Sequence, residues 1–158
     1  MTTFTELEGL PKNSVSISVW NLISVEIPRY LAGHAHWLLR ATLASVFIYH
    51  GVLKLANLEA NAEFLGLSIS IVLLVALAET VGGALVLLGG VSKIAPSATW
   101  LTRLGAAMIV PVMAGAIVMV HWGQWTFVPS QTHPMGGMEF QVVLLLISLY
   151  FAVKGNKA

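Results

Sequence analysis

The sequence predicts an all-α protein, an up-down four-helix transmembrane bundle preceded by an amphipathic surface segment. Three observations carry this. Four hydrophobic stretches have spanning length, residues 37–56, 67–88, 103–122 and 136–153, and a bilayer core takes about 20 apolar residues per helix. The chain is 57% hydrophobic and only 9% charged, against roughly 25% charged residues in soluble domains. Lysine and arginine also gather at alternate ends of the stretches, as they do in polytopic proteins.

Residues 1–36 form a polar and amphipathic segment. Apolar side chains at Val15, Val19, Leu22, Ile23, Ile27 and Tyr30 fall at helical spacing, with Ser16, Ser18, Asn21, Ser24 and Glu26 between them. A helix lying on the membrane surface fits that pattern. Pro28 ends it or bends the chain before the first span. No cleavable signal is expected, because Glu6 and Glu8 stand where a basic region would be and no apolar run follows with a small-residue cleavage site. The membrane domain then runs from 37 to 153, and residues 154–158 form a short tail.

Orientation follows from the basic residues. Lys12 and Arg29 precede the first span, Lys93 and Arg103 lie between the second and third, and Lys154 and Lys157 follow the fourth. The connection 57–66 carries only Glu59 and Glu63, and 123–135 carries no Lys or Arg. Both termini are therefore expected in the cytoplasm, with the intervening loops outside. Lys54, on the outer side, counts against this unless it turns inward. Trp37, Trp100, Trp122 and Trp125 fall at the ends of spans, as the interfacial preference of indole requires.

Composition also excludes functions. There is no cysteine, so thiol–disulfide chemistry, Fe–S ligation and thiolate metal sites have no ligands here. No basic run with interleaved aromatics suggests nucleic acid. The spans, by contrast, hold ionisable groups that cost at least ~2.5–3.5 kcal/mol each on insertion scales and are rarely idle.

At about 100° per residue, Arg40, Phe47, His50 and Lys54 share one face of the first helix. Glu79 precedes Gly82 and Gly83 on one side of the second, where small residues let another backbone approach. Pro111 sits inside the third span and is expected to kink it. His121 ends that span, and Glu139 opens the fourth, where the helix dipole favours a carboxylate. His50, Lys54, Glu79, His121 and Glu139 are thus expected to converge on the outer half of the bundle beside Trp122, with Arg40, Gly82 and Gly83 in structural support.

Such a cluster suits a quinone head group or a small anion. A quinone needs proton-exchanging groups at its carbonyls and aromatic walls within reach of lipid. Haem would need two facing imidazoles, His50 and His121, and the charged surround suits it less. No metal site is assigned. The same charges would also serve a non-catalytic scaffold, since buried ion pairs often fix helix register.

These residues carry a resemblance. Arg40 with Tyr49-His50-Gly51-Val52-Leu53-Lys54, then Glu79-Thr80-Val81-Gly82-Gly83, then Val120-His121-Trp122, and last Gly136-Gly137-Met138-Glu139-Phe140 together resemble the DoxX family of small four-helix membrane proteins, from about residue 38 to 153. The resemblance implies a membrane subunit of a quinone-linked redox complex, the family's name-giving members being subunits of a thiosulfate:quinone oxidoreductase. Partner subunits, a bacterial-type plasma or energy-transducing membrane and possible haem or pigment binding follow as expectations. The segment 1–36 departs from a minimal member and would serve as a docking surface.

Overall fold

The computed structural model describes residues 33–91 and 96–156, with side chains in 33–91 and 98–156. The amphipathic segment at 15–30 and the tail residues Lys157 and Ala158 lie outside the described residues. Among the described residues every regular element is helical. They are α1 (His36–Ala56), α2 (Leu58–Leu65), α3 (Ile69–Val91), α4 (Pro96–Ala116), a π-helical turn (Ile117–His121) and α5 (Glu139–Lys154).

Three helical segments are long and apolar enough to cross a membrane: His36–Ala56, Ile69–Val91 and Ala98–His121. The fourth expected span is shorter. Gly136, Gly137 and Met138 belong to a loop, which leaves α5 with 16 residues. The third expected span is longer than its apolar run suggests. It starts at Pro96, so Arg103 lies inside α4, where it donates to Val153 O of α5 at 2.7 Å. The connection after α1 was expected as a plain loop but holds α2. Gly66, at φ +63°, ends α2 in the left-handed conformation, the usual helix stop.

Successive long helices pack against one another, α1 on α3, α3 on α4 and α4 on α5, with a smaller contact between α1 and α5. The core is built from Leu43 and Phe47 of α1, Val86 of α3, Ala106, Ile109 and Met113 of α4, and Leu144 and Phe151 of α5. Outside it, Leu74, Leu88, Leu104, Leu146 and Val153 are exposed, an apolar exterior suited to lipid.

The paired glycines of α3 divide their work. A Cβ at Gly83 would press on Phe47 and Ile48 of α1, whereas one at Gly82 would come within 2.9 Å of Gly105 O on α4. Gly105 faces back, since a Cβ there would lie 2.6 Å from Gly82 O. Two helix backbones meet where neither has a side chain, which is how membrane helices gain packing without a hydrophobic drive. Pro111 does not end α4. The helix continues past it, and the irregularity falls six residues later as the π turn.

Candidate functional site

Three polar centres lie along the packed helices. The first joins α1 to α3. Lys54, in the last turn of α1, donates from Nζ to both carboxylate oxygens of Glu79, at 2.9 and 2.7 Å. The Glu79 side chain is 4% exposed and that of Lys54 19%. Lys54 therefore turns inward, which removes it as a free charge at the outer end. Among the described residues this is the single ion pair, so no carboxylate pairs with His50 or His121.

The second centre surrounds Arg40, which is fully buried one turn into α1. A guanidinium offers five donors in a fixed fork, and two helices, α3 and α4, and the chain after α5 supply neutral acceptors. Nη1 donates to Val86 O of α3 and to Thr102 Oγ1 of α4 at 2.9 Å, and Nη2 to Asn156 Oδ1 at 2.7 Å. Thr102 donates onward to Asn156 Oδ1, and Asn156 Nδ2 donates to Gly89 O, both at 2.7 Å. The Phe151 ring lies 4.7 Å from the guanidinium carbon and the Trp37 ring 6.0 Å, near enough for the ring faces to attract the cation. Arg40 is fourteen residues from Lys54 on the same helix, about 21 Å, so it supports the opposite end of the packing.

The third centre is built on the π turn. His121 is 5% exposed. Its Nδ1 lies 2.8 Å from Gly136 O and its Nε2 3.0 Å from Gln141 Nε2. A carbonyl only accepts, so Nδ1 carries a hydrogen. The amide nitrogen donates, so Nε2 accepts, and the ring is the neutral Nδ1–H tautomer. Gln141 Oε1 is buried with no hydrogen-bond partner. Glu139 sits beside this centre but serves the loop before it, accepting from Phe127 N–H at 3.3 Å.

The sequence placed five ionisable groups in one outer cluster. The structure joins Lys54 to Glu79, and His121 to Gly136 and Gln141, as separate centres. His50 falls at the edge of its helical face, exposed, with its ring edge-on to Tyr49 at 5.4 Å. Trp122 is exposed. Sequence reasoning did not single out Thr102, Asn156 or Gln141, uncharged residues whose partners lie far away in the chain. His133 ties the loop to the end of the π turn, its Nε2–H donating to Trp122 O at 2.7 Å. An apolar groove of about 630 Å³ along α1, lined by Ala41, Ala44, Ser45, Ile48, Tyr49 and Leu87, touches none of the three centres.

Comparison with known proteins places the chain in a family. The DoxX family model matches residues 35–122, a stretch that holds Arg40, Lys54, Glu79 and His121 and stops before Glu139 and Gln141. A protein of Bacillus subtilis (strain 168) named "Putative oxidoreductase CatD" is 28% identical over 123 residues, covering 76% of this chain and 78% of that protein. No solved structure matches the chain. With more than half its length matched and three apolar helices of spanning length, the chain belongs to the DoxX family and is an integral membrane protein.

Proposed function

We propose that the chain is the membrane subunit of a quinone-linked redox complex, with His121 and Gln141 at the centre of its ligand site. In this reading α5 crosses as the fourth span and closes an up-down four-helix bundle. Both termini are cytoplasmic, in a bacterial-type plasma or energy-transducing membrane. The observation that carries the site is the buried, unpartnered Gln141 Oε1 beside a neutral imidazole. A half-turn of the Gln141 amide would bring Oε1 against Nε2, which must then carry a hydrogen. With Nδ1–H still on Gly136 O, the ring becomes imidazolium. The pair can thus hold His121 with or without the extra proton.

That property fits quinone chemistry. Reducing a quinone to a quinol takes two electrons and two protons. The two electrons are assigned to a partner subunit, since this chain has no thiol to supply them; His121 delivers one proton at the head group and water at the lipid boundary the other. Trp122 offers an aromatic wall at the lipid boundary. Membership of a family with a relative named as an oxidoreductase supports the reading. Glu139 lies two residues before Gln141, His50 stands apart on the exposed side of α1, and Lys54 and Glu79, already paired, contribute mainly to packing. A small anion is the other candidate occupant.

The test is the quinone content of the protein purified in mild detergent. Quinone in the wild type, depleted in His121→Gln and Gln141→Leu with the fold intact, supports the site. Equal quinone content in all three refutes it. A second reading, a non-catalytic scaffold, draws on the Lys54–Glu79 pair and the Arg40 network. It is favoured if both variants keep their co-purifying partners and the wild type carries no quinone.

A further inference from the structure

The loop between the π turn and α5 contrasts with the segment between α1 and α3. Residues 122–138 contain no Asp, Glu, Lys or Arg, whereas the connection after α1 presents Glu59 and Glu63, both exposed. The loop's polar atoms bond one another. Gly137, Met138 and Glu139 donate their N–H groups to Thr126, Gln124 and Trp125 carbonyls, each at 2.9 Å. Gln124 Nε2 donates to Thr126 O and Val128 O, and Ser130 Oγ donates to Gln124 Oε1. Gly136, at φ +79°, allows this fold, since a Cβ there would collide with Phe127 O.

The apolar side chains go the other way. Trp122, Trp125, Phe127, Val128, Met135 and Phe140 are all exposed, between 45% and 66%. A water-facing loop ordinarily shows the reverse arrangement. The lengths of the helices explain it. At 1.5 Å per residue α1 and α3 reach about 32 and 34 Å, and α5 only about 24 Å, against a hydrocarbon core about 30 Å thick. A crossing α5 therefore falls roughly 6 Å short of the core's thickness, whereas α1 and α3 exceed it.

We propose that residues 122–138 form a plug seated in the outer headgroup layer, with Trp122, Trp125, Phe127 and Val128 against the acyl chains, so that the lipid bilayer is what this loop binds. The proposal rests on α5 crossing the membrane. Irregular backbone near hydrocarbon is tolerated only when its polar groups are satisfied within the protein, and the inward bonding of this loop meets that condition. Indole rings prefer the same layer. Ser130, Gln131 and Thr132, at the polar tip, face the headgroups.

The chain lacks cysteine, so single-cysteine variants of the full protein carry a spin label at one place only. In phosphatidylcholine liposomes, Phe127→Cys and Val128→Cys should show an oxygen-to-nickel-chelate accessibility ratio several-fold above that of Glu63→Cys. Nickel access at 127 and 128 equal to that at 63 would overturn the proposal. In protein otherwise unmodified, brominated acyl chains should quench tryptophan emission, and Trp122→Phe/Trp125→Phe should lower the amount quenched, with Trp37 and Trp100 at the other span ends supplying the rest. Quenching unchanged in the double variant would also overturn it. The crossing is read separately, by an impermeant maleimide on intact cells. Lys154→Cys should be protected where Glu63→Cys reacts, and reaction of both from outside would overturn the crossing and the proposal with it.

Discussion

Replacing Lys54 with methionine isolates what the α1–α3 ion pair contributes. At 2.7 Å and an effective dielectric of about 20, the gross attraction between unit charges is about 6 kcal/mol. Most of that offsets the desolvation of Glu79, whose side chain is 4% exposed. Lys54→Met leaves the carboxylate without its two hydrogen bonds, and breaking one side of such a pair costs about 3–5 kcal/mol. Glu79→Gln together with Lys54→Met removes the charge as well as its partner, and should return to within about 1 kcal/mol of the wild type, as replaced buried pairs commonly do. The coupling energy from the cycle is then at least about 2–4 kcal/mol, increased by whatever Glu79→Gln costs alone. The assay is reversible unfolding of all four proteins in mixed micelles, followed by far-ultraviolet circular dichroism. A Lys54→Met variant within about 1 kcal/mol of wild type would refute the reasoning, because Glu79 would then have found water or another partner.

Other expectations follow from packing and hydrogen bonding. Gly105→Ala places a methyl 2.6 Å from Gly82 O and 2.9 Å from Val86 N, so α3 and α4 must separate and the melting temperature should fall by several degrees. Gly115→Ala, with nothing within 4 Å of the new methyl, should instead gain up to about 1 kcal/mol in the same assay from helix propensity alone. Asn156→Ala strips a partner from Arg40, Thr102 and Gly89 O and should cost about 2–3 kcal/mol as those groups go unpaired. Lys154→Ala, exposed on α5, should cost almost nothing by comparison.

The helices were legible because an apolar run of spanning length with few charges is rarely anything but a membrane helix. Their ends were less so. Pro96, Ser97 and Thr99 interrupt the apolar count before α4, yet Pro is well placed in a first helical turn, and the helix begins there. The brevity of α5 was hidden because Gly136, Gly137 and Met138 are apolar enough to extend a hydropathy window, while the backbone of the two glycines is needed for the loop. The pairing of Lys54 with Glu79 could not be read from the sequence. Charge alone did not decide between Lys54 and Arg40, and their distance along α1 does. Thr102 and Asn156 gave no signal, since a threonine in an apolar helix and an asparagine in a tail are ordinary until the fold sets them on one guanidinium. Gln141, two residues into α5, was overshadowed by Glu139. Its importance depends on the π turn, which hydropathy cannot show.

That π turn, Ile117–His121, works as a spacer that absorbs a residue. Up to Ala116 the helix presents its buried residues on a face set by Ala98, Thr102, Ala106, Ile109 and Met113. Ile117 and His121 continue that face, because the wider turn accommodates about one more residue than an α-helical turn would. The histidine therefore keeps to the buried side and meets Gly136 and Gln141. Removing one residue from the turn would let it close as α-helix with the later side chains near their present phase. Removing one from the regular helix beneath would carry His121 round by about 100° and away from both partners. Length is therefore constrained in the straight part of α4 and forgiven in the turn.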